Sequence, residues 1–150
     1  MDPASNRCLA MARVALGAAI FLALAAAAAP ALAQNPEVRT TCNIHQGPCS
    51  AELAGRNVEL DISPKPVKAM EELEFRVTIS GDRLSAAPYI DLGMPAMKMG
   101  PNRVEMVQQK ENTWTGKGVI VRCPSGKTTW FARVTLPETG TAEFVFDVVY

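Results

Sequence analysis

Three methionines, Met94, Met97 and Met99, fall within six residues of the segment "DLGMPAMKMGP", a stretch broken by glycine and proline. Thioether sulfur is a soft donor that favours Cu(I) over hard cations, and it has no acid–base chemistry to compete with metal binding. It also stays a competent donor in an oxidising compartment, where paired cysteines go to disulfides. A Met-x-x-Met-x-Met spacing in an irregular turn lets several sulfurs converge, so copper(I) is the expected ligand. The plainer role for the same side chains is pliable apolar filling. That role is the one expected for Met106, on a strand, and for Met70, which is otherwise a secondary candidate ligand.

Cysteine and histidine narrow the chemistry. Of the four cysteines, Cys8 precedes an apolar leader, which leaves Cys42, Cys49 and Cys123. Three is an odd number, so a monomer leaves one thiol unpaired. Cys42 can pair with Cys49 across Gly47-Pro48, freeing Cys123 as a fourth soft donor; alternatively Cys123 bonds one of the other two. His45 is the single histidine. A blue-copper site needs two histidines and a cysteine, so that site is excluded. His45 is a secondary metal candidate through its place between two cysteines. No glycine-rich phosphate loop and no clustered carboxylates suggest catalysis, and "CPSGK" reads as a β-turn. The chain is not expected to be an enzyme. A thiol-redox role lacks a Cys-x-x-Cys motif, with Arg122 the one basic neighbour of Cys123.

The elements that must position these residues read as strands. "ELEFRVTIS" alternates Leu73, Phe75, Val77 and Ile79 with polar residues; "VELDI", "WFARVTL" and "AEFVFDVVY" do the same. Period two with one polar face means antiparallel strands with one wet side. Turn signals such as "AGRN", "SGDR", "QKEN" and "PETG" recur at sandwich spacing. The expected fold is all-β, an immunoglobulin-like antiparallel sandwich of seven or eight strands, with a small closed barrel as the alternative. If successive strands alternate direction, Met70, the methionine loop, "CNIHQGPC" and Cys123 gather at one end.

Arg7 and Arg13, an apolar run and an Ala31-Leu32-Ala33 finish describe a secretory signal peptide over residues 1–33, cleaved after Ala33. A retained anchor is the other reading, because the run is long enough to span a bilayer. The expected product is periplasmic or otherwise exported, with a Cys-containing segment at 34–50 and a sandwich domain at 51–150. Removing Arg7, Arg13 and Asp2 from 15 basic and 15 acidic residues leaves 13 and 14. That balance offers no footprint for nucleic acid and no polybasic segment for anionic lipid.

The segments "YIDLGMPAMKMGPNRVEM" and "GKGVIVRCPSGKTTWFARVT" resemble the YtkA-like/FixH-like family of small exported or membrane-tethered bacterial proteins. The matching features are the Met-Pro-x-Met-x-Met-Gly turn at Met94–Gly100, the Gly-x-Gly strand at Gly116–Gly118, and Trp130 after the next turn. The resemblance covers roughly Val58–Tyr150. It implies an immunoglobulin-like sandwich and, for some members, copper handling or copper delivery to haem–copper oxidases.

Two functions are therefore expected. One is a periplasmic copper(I) carrier or buffer using Met94, Met97, Met99 and Cys123, exchanging with a metal-donor or metal-acceptor membrane protein and not itself membrane-bound once the leader is removed. The other is a metal-free interaction domain that docks its apolar loop end on a membrane or assembly partner.

Overall fold

The computed structural model describes residues 35–150; the expected leader and its cleavage point fall outside them. The described chain contains ten strands and no helix: β1 (Glu37–Thr41), β2 (Cys49–Leu53), β3 (Arg56–Ser63), β4 (Glu72–Ile79), β5 (Tyr89–Gly93), β6 (Arg103–Glu105), β7 (Val107–Lys110), β8 (Thr113–Val119), β9 (Thr129–Leu136) and β10 (Gly140–Asp147). They form two five-stranded sheets, a first in the order β1-β10-β9-β5-β6 and a second in the order β2-β3-β4-β8-β7. The fold is an open β-sandwich.

Alternation does what it predicts. Leu73, Phe75, Val77 and Ile79 from β4 and Trp130, Ala132, Val134 and Leu136 from β9 are all buried in one core. Each large apolar side chain buried there contributes about 1.5–3 kcal/mol relative to exposure. Met106 is core, as expected.

Two features differ from the expected seven or eight antiparallel strands. First, β1 pairs with β10 in parallel, Glu37 beside Thr141 and Thr41 beside Val145. Its residues alternate weakly and show half-buried and exposed faces only, so no apolar period announces it. The 34–50 segment thus places a strand in the first sheet and begins β2 in the second. Second, "RVEMVQ" is not one strand. The chain pairs with β5 through Glu105, turns Met106 into the core, and pairs with β8 from Val107 onward. The crossing is close: a Cβ on Gly116 would lie 2.5 Å from the Glu105 carbonyl oxygen and 2.9 Å from Met106 Sδ. The Gly-x-Gly spacing of β8 therefore has a steric cause.

On the outer face of the first sheet, buried Glu143 accepts from Arg39 (3.1 Å) and Arg133 (2.6 Å). This links β1, β10 and β9 across three strands. A carboxylate taken out of water needs such partners.

Candidate functional site

Strand direction brings the sulfur-bearing connections to one end of the sandwich. Gly93, the last residue of β5, faces Phe131 near the start of β9, and Glu72 at the start of β4 faces Val119 at the end of β8. Thr41, the last residue of β1, faces Val145 near the end of β10. The two sheets meet there through backbone bonds from Ala69 N–H to the Val149 carbonyl and from Val149 N–H to the Val67 carbonyl, each 2.9 Å.

Within that end the side chains diverge. Ile90, Leu92 and Met94 share the inward face at the end of β5, so Met94 is 3 % exposed and belongs to the core. The chain then reverses. Pro95 follows Met94, Ala96 takes a φ of 60°, and the Met97 N–H reaches the Met94 carbonyl at 3.2 Å. Proline at the second position and a positive φ at the third are the marks of a type II turn. Met97 emerges exposed at 37 %, while Met99 is half-buried.

Met97 and Met99 line one open groove on the outer face of the first sheet, together with Gly93, Phe131, Arg133 and Asp91. Its floor has a particular origin. Gly93 and Phe131 are cross-strand neighbours, and a Cβ on Gly93 would lie 2.4 Å from the ring's Cζ. Glycine is what allows the aromatic ring to lie across the strand. The hard donor beside the groove is already engaged, because Arg103 donates to both Asp91 oxygens at 2.8 and 3.1 Å.

Cys42 and Cys49 form the disulfide, and Cys123 is a free, buried thiol. In the turn at Cys123 the Ser125 Oγ lies 3.0 Å from the sulfur. That side-chain hydrogen bond, then the Ser125 backbone, holds the thiol below its ordinary pKa, with desolvation opposing. Cys123 thus lies within the loop that joins β8 to β9, its sulfur in the core, and does not line the Met97–Met99 groove.

The secondary candidates lie apart. Met70 is 66 % exposed, with a φ of 66° and its N–H on the Ile120 carbonyl at 2.8 Å. The expectation of core filling fails there, because the left-handed turn carries its side chain outward. His45 uses both ring nitrogens in the frame: Nδ1 accepts the Val67 N–H at 3.0 Å, and Nε2 lies 2.9 Å from the Asp147 carbonyl oxygen. Among the described residues no three His, Cys, Asp or Glu side chains group as a metal site. The soft thioethers are the donor class left at this end.

Sequence reasoning passed over Phe131 and Gly93. A signal existed: the inward period of Ile90 and Leu92, continued one step, buries Met94 and leaves Gly93 outward. No protein-family model matches this chain, and no curated protein matches it.

Proposed function

We propose that this chain carries Cu(I) as an exchangeable cargo, held by Met97 and Met99 above the ring of Phe131. The observation that supports this reading is the shared, solvent-open groove that both residues line, Met97 exposed and Met99 half-buried against the core. Two thioethers without a competing free carboxylate favour a soft monovalent ion. The Phe131 ring already carries the Arg133 guanidinium, 5.0 Å from its centroid, so the ring serves as an apolar floor and not as a cation ligand. Access from solvent suits a carrier, which must release what it binds. Met94 and Cys123 are buried and would join only by leaving the core. The resemblance of the methionine turn to the YtkA-like/FixH-like family is consistent with copper handling in an exported protein.

The test is a Cu(I) titration of the reduced protein against a competing chelator. One site is expected, lost in the Met97→Leu/Met99→Leu variant and kept in Met94→Leu and Cys123→Ser. If the double leucine variant binds copper as the parent does, the reading fails. Leucine keeps the apolar surface, so the same variant separates copper binding from metal-free docking.

A further inference from the structure

We propose that the sulfur-bearing end of the sandwich docks onto an anionic lipid surface. Met70, Val119, Val121 and Val149 supply shallow apolar insertions, and Lys98, Arg122 and Lys127 supply the headgroup contacts. This inference does not rest on the copper reading.

The apolar residues come from three separate parts of the chain, yet they are neighbours. Met70 N–H bonds the Ile120 carbonyl, between Val119 and Val121, and Ala69 N–H bonds the Val149 carbonyl. Their exposures are 66 % for Met70 and 40–41 % for the three valines. Met70 is the most telling. A bulky residue rarely adopts a positive φ, and here one does so while presenting its thioether to water. The fold gains nothing visible from methionine at that position. The turn requires only its backbone N–H.

Charge completes the pattern. Among the described residues four carboxylates of this end are ion-paired, Asp61 with Lys65, Glu71 with Lys68, Glu72 with Lys117 and Asp91 with Arg103, while Asp147 accepts only from the Thr128 and Thr129 hydroxyls and keeps its charge. Lys98, Arg122 and Lys127 have no carboxylate within ion-pairing distance among those residues. Arg122 stands 5.4 Å from the Tyr150 ring centroid, and the Tyr150 hydroxyl bonds the Lys127 carbonyl. The three cations are scattered in sequence and form no basic run; Tyr150 brings Arg122 and Lys127 together, and Lys98 stands in the methionine loop at the same end. Exposed apolar side chains flanked by three cations without ion-pair partners fit an anionic lipid surface, which takes shallow insertions and headgroup contacts together.

The test is sedimentation of the full chain with vesicles of phosphatidylcholine alone or mixed with phosphatidylglycerol. Every variant carries the same N-terminal residues, so differences between variants report on the tip. Binding is expected to strengthen with phosphatidylglycerol and to weaken in high salt. A cation near such a surface is worth about fivefold in partitioning, so Arg122→Gln/Lys127→Gln should lose roughly 30-fold. Val121→Asp should also weaken binding, Lys110→Gln at the opposite end should not, and all should unfold at the parental temperature. Equal binding to both vesicle types, tip variants that bind as the parent does, or binding to an acidic protein with none to vesicles overturns the proposal.

Discussion

The Phe131 ring lies across Gly93, its neighbour on the adjoining strand, with Cζ 2.4 Å from the point where a Cβ would stand. Gly93→Ala must therefore push the ring aside. Because the displaced atoms are the tip of a side chain and not backbone, the fold should survive with a loss of about 1–3 kcal/mol. The Met97–Met99 groove loses its floor, and Cu(I) affinity should fall although no sulfur has been touched. Chemical denaturation and the chelator titration, run on the same sample, read both effects.

The methionines should separate by stability as well as by binding. Met94→Ala opens a cavity in the core and should cost about 2–5 kcal/mol. Met97→Ala, on an exposed side chain, should stay within about 0.5 kcal/mol of the parent. Urea unfolding midpoints distinguish them, and equal losses would place Met97 in the packing.

His45 is a clip between segments distant in sequence. A backbone N–H can only donate, so Nδ1 is the unprotonated nitrogen and Nε2 carries the proton offered to the Asp147 carbonyl. Nitrogen NMR of the imidazole should report the Nε2–H tautomer. His45→Ala strands the Val67 N–H in a part-buried setting and should destabilise by about 1–3 kcal/mol. Copper binding should be unchanged; a lost copper site in this variant would return His45 to the ligand set.

The disulfide closes a loop with a sequence separation of 7. On the loop-entropy account, Cys42→Ser/Cys49→Ser should lower stability by about 2–3 kcal/mol. Thermal unfolding with and without reductant should move the parent and leave the double variant in place.

Cys123 should titrate below the ordinary thiol range, because the Ser125 hydroxyl and backbone favour the thiolate. The pH midpoint of its alkylation should rise in Ser125→Ala. The sign for stability follows from the direction of the shift. The folded state favours the deprotonated form, so this contribution is complete above the thiol's unfolded pKa and is lost as pH falls through the folded one. A Cys123→Ser variant should lack that slope.

Much of the fold was legible because a buried sheet face imposes period two. The faces of β3, β4, β9 and β10 could be read residue by residue, and strand direction correctly gathered the loops at one end. Legibility stopped where partners are chosen at long range. β1 has little apolar period, and its parallel partner lies about a hundred residues away. In "RVEMVQ" the alternation continues while the hydrogen-bonding partner changes sheet. At the site, residue type suggested soft-metal chemistry, but proximity in sequence did not give convergence. A type II turn between Met94 and Met97 sends one inward and the other out, a distinction carried by the φ of Ala96.

The passage at Met106 joins β6 to β7, the outermost strands of the two sheets along one side. Along the other side, β1 and β2 are likewise outermost, and the Cys42–Cys49 loop ties them together. Each flank of the sandwich is thus hemmed by its own backbone, and the β1–β2 hem alone is drawn tight by a bond that reductant can break. A reducing environment would slacken a single hem and leave its opposite unchanged, so loosening should begin at β1 and spare the strands that carry the methionine groove.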